Sequence, residues 1–317
     1  MHGVCLAAGC FVHSAEGGGP GDRAVRFALT LYRDRALAEP AGPRRTPLRL
    51  IGAPTDRNSS FLRGPAAAPA QIRAALHSDV GNAATESGAE LGVNITLDDA
   101  GDLSLTESAD DDAIIERAVA RAITDGFAPL VLGGDHAITY PVLRAIAGAH
   151  GPVSILHVDA HPDLYDELLG HRRSHATPFA RIMEDGLASR LVQVGIRTLN
   201  AHQRAQATRF GVEIVPMREF TLDAVPLLSG PVYISMDLDG LDPAFAPGVS
   251  HHEPGGLSVR QVVDLFARLA ARHEVRVVGA DVVELNPARD INGVTARVAA
   301  KLVKELADLI SAGAAPH

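Results

Sequence analysis

From residue 48 onward, short apolar runs alternate with longer stretches in which apolar positions recur every three or four residues. Runs rich in Val, Ile and Leu are typical of strands that are covered on both faces, and the longer spacing is typical of amphipathic helices. The alternation predicts parallel strands joined by crossover helices, and therefore an α/β fold with three layers, α/β/α, around a central, mostly parallel sheet. The predicted strands are residues 48–52, 130–132, 153–158, 191–196, 232–235 and 275–281.

Three stretches carry the helical pattern most clearly, namely residues 111–123, 258–273 and 293–310. The second has Ser258 and Gln261 at the spacing of a capping box, in which each side chain hydrogen-bonds the other residue's backbone N–H. This pair predicts that the helix begins directly after Ser258.

The first 46 residues differ from the rest, because glycine-rich and proline-rich segments at 17–21 and 40–47 interrupt any sustained pattern. We therefore expect residues 1–46 to form a poorly structured N-terminal extension and residues 47–317 to form one folded domain. The early apolar stretch is too short for a secretory signal, and several acidic residues count against an organelle-targeting segment. No run of about 18 apolar residues occurs, so we expect no membrane-spanning helix.

Composition narrows the class of protein further. A chain of 317 residues that is 46% hydrophobic can bury a substantial core. The net charge of −9 argues against a nucleic-acid partner, because no basic run is long enough to neutralise several phosphates. The two cysteines, Cys5 and Cys10, lie far from the polar clusters described next and form no disulfide framework, so we expect a reducing, cytoplasmic location.

Three acidic residues follow the predicted strand 232–235 within a few positions: Asp237, Asp239 and Asp242. Carboxylates that are crowded and partly buried repel one another, and they need either solvent or a compensating cation. A lone D-x-D is commonly a solvated turn or a helix cap, so this cluster alone does not decide between the two.

Two further clusters favour the cation. Asp159, His161 and Asp163 follow the predicted strand 153–158, and His136 follows the strand 130–132. The carboxyl ends of parallel strands meet at one edge of a sheet, where neighbouring strand tips can share a site. We expect alternate positions to point the same way while the chain stays extended, which would direct residues 159, 161 and 163, and likewise 237 and 239, into one metal cage.

The donor set indicates the metal and the chemistry. Four carboxylates and two imidazoles suit Mn²⁺ better than a thiolate-binding ion, with Fe, Co, Ni or Zn as possible substitutes. Bridging carboxylates favour two ions, which can hold a hydroxide at neutral pH for attack on an electrophilic carbon or phosphorus. The sequence therefore predicts a hydrolase.

Four segments also resemble the signature blocks of the ureohydrolase family, which includes arginases, agmatinases and guanidino-acid hydrolases. They are GGDHAITYPV, DAHPDLYD, SHATPFARIMEDG and SMDLDGLDPAFAPGVSHHEPGGLS. The resemblance extends from about residue 48 to 310 and is nearest to the plant-type arginases of the agmatinase-like branch. It implies the arginase-like three-layer fold, trimers or hexamers, and a small guanidino substrate.

The resemblance also implies which residues bind two Mn²⁺ ions per subunit. Asp159 and Asp237 would bridge the ions, in agreement with the clusters found from the sequence pattern. The first ion would take His136, Asp159, Asp163 and Asp237, and the second would take His161, Asp159, Asp237 and Asp239.

Three residues would act in catalysis by the same resemblance. Asp163 would hydrogen-bond the bridging hydroxide and pass its proton to the leaving amine. His175 would shuttle protons, although without the family match it reads as an exposed loop histidine. Glu284 would grip the substrate guanidinium, although on sequence alone it could equally cap a strand end.

The implied reaction is attack of a metal-bridged hydroxide on the guanidinium carbon of arginine, which gives urea and ornithine. Agmatinase and guanidino-acid hydrolase are the alternatives, and a non-catalytic metal-binding regulator or a single-zinc, deacetylase-like enzyme is more remote. Arg172 and Arg173, in a loop that departs from the plant-type pattern, would favour a substrate carboxylate by charge. His251, His252 and Glu253 would line the mouth, and Asp242 would either support the metal ligands from behind or cap a turn.

Overall fold

A computed structural model describes residues 45–313, and eight strands within them form one sheet. Every neighbouring pair of strands is parallel, and the order is β2-β1-β3-β8-β7-β4-β5-β6. The predicted parallel sheet is therefore confirmed, whereas most of the predicted extension, residues 1–44, lies outside the described part of the chain. The strands are β1 (Leu48–Ala53), β2 (Leu97–Asp102), β3 (Ala128–Gly133), β4 (Val153–Val158), β5 (Ala188–Ile196), β6 (Glu213–Pro216), β7 (Gly230–Asp237) and β8 (Val275–Val283).

Helices cover both faces of the sheet and complete the predicted three layers. Successive residues of β3 show how: Leu130 and Leu132 belong to the apolar core on one face, and Val131 belongs to the core on the other. Helices α1, α6 and α7 bury their apolar sides on the first face, and α2 to α5 on the second. Their bounds are α1 (Ala68–Leu76), α2 (Asp111–Thr124), α3 (Thr139–His150), α4 (Pro178–Glu184), α5 (Ala201–Phe210), α6 (Val259–Ala270) and α7 (Val294–Ala312).

The capping box predicted for α6 is confirmed. The Ser258 hydroxyl accepts from the Gln261 backbone N–H at 3.2 Å, and the Gln261 side-chain carbonyl accepts from the Ser258 backbone N–H at 2.8 Å. Two of the first helical N–H groups are thus satisfied, and the helix begins at Val259.

Two strands were missed by the sequence pattern, and both lie at the edges of the sheet. Strand β2 has the sequence LDDAGD, and two of its acids, Asp98 and Asp99, pair with Arg49 and Arg73. Charged side chains on an edge strand discourage pairing with another chain, but they also remove the apolar pattern that identifies a strand. Strand β6 has four residues and ends in Pro216, which is tolerated at an edge.

Helix α3 was also missed. Thr139, Pro141 to Leu143, Ala145 and Ile146 are buried and Arg144 and Gly148 are exposed, so the helix has two faces, but it contains Pro141 and Gly148, residue types that are unfavourable within helices. Within residues 45–313, no helix is both long enough and apolar enough to cross a membrane.

Candidate metal centre

Four neighbouring strands in the middle of the sheet, β3, β8, β7 and β4, bring the predicted site residues to one edge. Val158 pairs with Met236, so the next residues on these strands, Asp159 and Asp237, lie side by side. Asp237 in turn pairs with Val283, which puts Glu284 one position beyond it. The three predicted clusters therefore meet, and β8 adds a fourth element between β3 and β7.

His136 lies at the centre of the first cluster. Its Nδ1 lies 3.2 Å from Asp159 Oδ2, 3.0 Å from Asp163 Oδ2 and 3.1 Å from Asp237 Oδ2. These separations match the spacing of about 3 Å between adjacent ligand atoms around a small octahedral cation. Within the described residues, this buried nitrogen has no well-formed hydrogen bond.

The other ring nitrogen of His136 is committed to a hydroxyl network. Nε2 lies 2.9 Å from Ser235 Oγ, and the single hydroxyl proton of Ser235 is donated to Asp281 Oδ1 at 2.7 Å. Ser235 must therefore accept from His136 Nε2–H. Thr139 and Tyr233 also donate to Asp281, which holds this network in place.

A positive charge is required where Nδ1 of His136 points. Burial lowers the pKa of His136, but Asp159, Asp163 and Asp237 outweigh this effect and hold the pKa well above its usual range. Because the proton on Nε2 is already used, a metal ion between these carboxylates would replace the Nδ1 proton and meet the nitrogen lone pair.

The second cluster contains His161. Its Nδ1 lies 3.4 Å from Asp159 Oδ1 and 3.2 Å from Asp239 Oδ2. Burial lowers the pKa of His161, but the neighbouring carboxylates raise it far above its usual value. One oxygen of Asp159 faces the first cluster and the other faces the second. A carboxylate that bridges two ions needs this arrangement.

Asp237 is placed differently from Asp159. Its Oδ2 faces His136, whereas its Oδ1 accepts the backbone N–H of Asp239 at 2.8 Å. Asp237 therefore joins the first cluster through Oδ2, while its other oxygen stabilises the turn that carries Asp239.

The crowding of carboxylates fits divalent cations. Burial and the charges of Asp239 and Asp159 raise the pKa of Asp237 well above its usual range, and burial with nearby charge raises the pKa of Asp239 to about 7. Burial also raises the pKa of Asp159, but the three surrounding imidazoles lower it more. Without a cation the site thus holds more negative charge than it can stabilise.

The backbone that presents these residues is not extended, so that part of the prediction is wrong. Strand β4 ends at Val158, and Asp163 has a φ of 49°, in the left-handed region. Asp237 instead caps a short 3₁₀ turn over Leu238–Gly240. The ligands converge through turns because an extended strand would carry residue 163 away from the sheet edge.

His175 and Glu284 form a buried pair beside the first cluster. His175 Nδ1 lies 3.3 Å from Glu284 Oε1, and His175 Nε2 lies 2.8 Å from the Ser60 hydroxyl. His175 is only 8% exposed, so the alternative of an exposed loop histidine does not hold. Burial lowers the pKa of His175, but Glu284 raises it to about 9.

Glu284 also connects this pair to the first cluster. Its Oε1 accepts the backbone N–H of His136 at 2.9 Å, just after the end of β3. Burial raises the pKa of Glu284, yet the His175 imidazole lowers it more, and the net shift is downward. Its φ of 67° is strained for glutamate, which indicates that the surrounding contacts fix its position.

A cleft of about 220 Å³ opens onto both clusters and is lined by His161, Asp163, His175 and His251, among others. No Lys or Arg belongs to its lining within the described residues. The cleft therefore offers carboxylates and imidazoles to a cationic group, and only neutral polar groups to the rest of a ligand.

The two arginines expected at the entrance are engaged elsewhere. Arg172 pairs with Asp166 at 2.6 Å and Glu184 at 2.9 Å. Arg173 pairs with Asp112 at 2.7 Å and lies 4.3 Å above the Tyr140 ring. Neither arginine belongs to the lining of the cleft, and both are paired with acids outside it, which counts against the prediction that they attract a substrate carboxylate.

The predictions for the loop after β7 hold in part. Asp242 accepts the backbone N–H groups of Ala244 and Gly255, so of its two predicted roles it has that of a turn cap. His251 lines the cleft, with its ring 4.9 Å from that of His175. His252 is engaged elsewhere, since its Nε2 bonds the Pro247 carbonyl.

Several buried polar residues around the clusters were missed. Ser235 and Asp281 hold His136, and His157 and Gln193 lie behind Asp159. The signal that could have found them is a polar residue inside an otherwise apolar central strand, which needs a hydrogen-bond partner wherever it is buried.

Comparison with known proteins gives consistent matches. Residues 46–308 match the Arginase family. The chain is 49% identical to "Arginase 1, mitochondrial" of Arabidopsis thaliana, over 92% of this chain and 90% of that protein. It is 38% identical to "Agmatinase, mitochondrial" of Gallus gallus, over 81% of this chain and 78% of that protein.

These names overturn the expected cytoplasmic location. The Arabidopsis and chicken relatives are both named as mitochondrial proteins, which contradicts that expectation. The expectation failed because a low cysteine content argues only against an oxidising compartment and does not separate the cytosol from other reducing compartments.

Comparison of the fold with solved structures leads to the same family as comparison of the sequence. The solved structure of the arginase from Medicago truncatula superposes with a TM-score of 0.76 at 40% identity, covering 91% of this chain and 96% of that one. The strand-end clusters and the cleft lie within the matched residues. The chain therefore belongs to the arginase family and is a hydrolase that acts on the C–N bonds of guanidino groups.

Proposed function

We propose that the protein hydrolyses arginine to ornithine and urea with two Mn²⁺ ions. The observation that carries this proposal is the convergence of His136 Nδ1 with three carboxylate oxygens beside a second cluster that shares Asp159. The 49% identity to a plant arginase supports arginine as the substrate.

We assign the donors to two ions, and the contacts of His136 and His161 with the carboxylates support this assignment. Oxygen donors predominate, which suits Mn²⁺. When bound, the two ions would supply a water that is acidic at neutral pH and would stabilise charge that develops on the substrate. The first ion would take His136, Asp159, Asp163 and Asp237, and the second would take His161, Asp159, Asp237 and Asp239.

The chain's own residues would orient the substrate and move protons. Glu284 has one oxygen, Oε2, without a hydrogen bond among the described residues, and a guanidinium could donate to it. Asp163 lines the cleft next to His136 and would carry a proton from the attacking water to the leaving amine. His175, charged at neutral pH beside Glu284, would exchange that proton with solvent through the cleft.

Agmatine is the second candidate substrate, and a specific observation favours it. The cleft has no Lys or Arg in its lining within residues 45–313, and its charged imidazole, His175, is paired with Glu284, so no unpaired Lys, Arg or His175 charge is available for the carboxylate of arginine. Arginine would then have to be recognised by neutral donors, whereas agmatine needs none.

The test is urea release by Mn²⁺-loaded protein from arginine, agmatine, 4-guanidinobutyrate and 3-guanidinopropionate, with a chelated sample as control. We expect the highest kcat/KM with arginine and no urea after chelation. A higher kcat/KM with agmatine would show that agmatine is the preferred substrate, and the proposed metal site would remain valid. Urea production that persists after complete metal removal would contradict the proposed role of the ions.

A further inference from the structure

A buried histidine, His157, has no role in the proposed reaction. It lies directly behind Asp159, the carboxylate that faces both clusters. His157 is on β4, two residues before Asp159, and it is fully buried. Its ring stacks on Phe179, with 3.9 Å between ring centroids, and its Nε2 lies 2.8 Å from Asp159 Oδ2. Its partner in the sheet register on β5 is Gln193, which is also fully buried.

The orientation of the Gln193 amide follows from a single acceptor. Gln193 Nε2 lies 2.6 Å from the carbonyl oxygen of Pro162, which can only accept a hydrogen bond. The nitrogen of the amide must therefore face Pro162. The same Nε2 lies 3.0 Å from His157 Nδ1 and directs its second hydrogen there.

This orientation fixes the tautomer of His157. Because Gln193 donates to Nδ1, that nitrogen must carry a lone pair, and the ring proton must be on Nε2. Nε2–H then donates to Asp159 Oδ2. Both nitrogens of His157 are committed, so the ring is not available as a metal ligand although it lies next to His136 and Asp159.

Gln193 holds two parts of the site at once. Through His157 it orients Asp159, the carboxylate that faces both clusters. Through the Pro162 carbonyl it holds the turn that separates His161 from Asp163. Three of the six candidate ligands thus depend on one buried amide.

We propose that Gln193 and His157 are positioning residues for the metal centre: Gln193 selects the Nε2–H tautomer of His157, which holds Asp159 in its bridging orientation. This inference rests on the proposed metal site, but it concerns metal affinity and geometry and does not depend on the substrate. Partners of this kind behind a metal ligand typically contribute 10- to 100-fold in affinity.

The test compares variants that remove one hydrogen bond each. In His157→Phe the ring can still stack on Phe179 but cannot donate to Asp159, and Gln193→Met keeps the side-chain length without the amide. We expect both to lose about 10- to 100-fold in Mn²⁺ affinity, measured by chelator competition and metal content. His157→Gln, whose amide can reach the position of Nε2, should recover most of that loss.

Phe179→Leu is a demanding control, because it disturbs the packing around both His157 and His136 and removes neither hydrogen bond of His157. We expect its metal affinity to stay within about threefold of the parent, even if its thermal midpoint falls. Equal loss in Phe179→Leu, or unchanged affinity in His157→Phe, would overturn the inference.

A measurement on the parent protein keeps the inference testable if the variants do not fold. Nitrogen-15 NMR of histidine-labelled protein, either metal-free or loaded with diamagnetic Mg²⁺ in place of paramagnetic Mn²⁺, should give His157 an unprotonated Nδ1 and a protonated Nε2. The opposite tautomer would refute the proposal. A protein that binds no Mn²⁺ at all would defeat the proposed function instead, and the NMR result would still decide the tautomer.

Discussion

Nδ1 of His175 lies 3.3 Å from Oε1 of Glu284, and the same Glu284 oxygen accepts the backbone N–H of His136. A buried ion pair at the cleft is thus tied to the residue at the centre of the first metal cluster. The two paired residues are 109 positions apart, from 175 to 284, and the ends of neighbouring elements bring them together.

This pair predicts how the stability of metal-free protein depends on pH. Glu284 raises the pKa of His175 from 6.5 to about 9, so its contribution is complete below pH 6.5 and is lost as the pH rises through 9. The lowered pKa of Glu284 makes its contribution complete above pH 4.5 and lost at lower pH. We therefore expect the thermal midpoints of the parent and His175→Gln to differ most between pH 4.5 and 6.5 and to converge above 9. A difference that grows with pH would contradict the assignment.

Asp237→Asn should separate metal binding from folding. Its carboxylate is destabilised by burial and by Asp239 and Asp159, so the neutral amide relieves repulsion in metal-free protein. We expect a higher thermal midpoint without metal, and a loss of at least about 100-fold in Mn²⁺ affinity and activity. Scanning calorimetry with and without Mn²⁺ measures both effects. Asp242→Asn, which changes a turn cap outside both clusters, should keep the metal-induced stabilisation.

Arg172→Gln and Arg173→Gln should leave substrate choice unchanged. Both arginines pair with carboxylates outside the cleft, and such exposed pairs contribute about 0–1 kcal/mol to stability. We expect the ratio of kcat/KM for arginine to that for agmatine to stay within about threefold of the parent, or about 0.7 kcal/mol, because neither side chain lines the cleft. A tenfold shift toward agmatine in either variant would show that the replaced arginine contributes to binding the substrate carboxylate.

Ser258→Ala should weaken the fold without touching the site. It removes one half of the capping box of α6, and the loss of such a cap costs about 1 kcal/mol. Urea denaturation should show this decrease in the free energy of unfolding while kcat and KM remain unchanged. Ser104→Ala, at an exposed position outside any helix, is the control and should leave the free energy of unfolding unchanged. Equal effects in the two variants would show that the cap does not contribute.

The central part of the fold was predictable from the sequence because its strands are buried on both faces. Strand β4 was predicted with its observed bounds, and β1 to within one residue. The edge strands β2 and β6 were not predicted, since one side of an edge strand makes no pairing and its residues are polar or few. Helix α3 was missed although it has a buried and an exposed face, because Pro141 and Gly148 are residue types that usually interrupt a helical pattern.

The ligand types and their positions at strand ends also came from the sequence, whereas their geometry did not. Asp163 joins the first cluster through a left-handed turn that no alternation pattern contains. Charge alone suggested a role for Arg172 and Arg173, and only the structure revealed that acids in other elements neutralise them.

The sequence by itself determined the layered architecture, the six candidate ligands and the kind of cation they suit, because burial periodicity and side-chain chemistry are local properties. The tertiary structure alone decided the strand order that places β8 between β3 and β7, the pairing of His175 with Glu284, and the chain from Pro162 through Gln193 and His157 to Asp159. Each of these depends on which distant segments pack together. That choice is made by the free energy of the whole core, which no local pattern encodes.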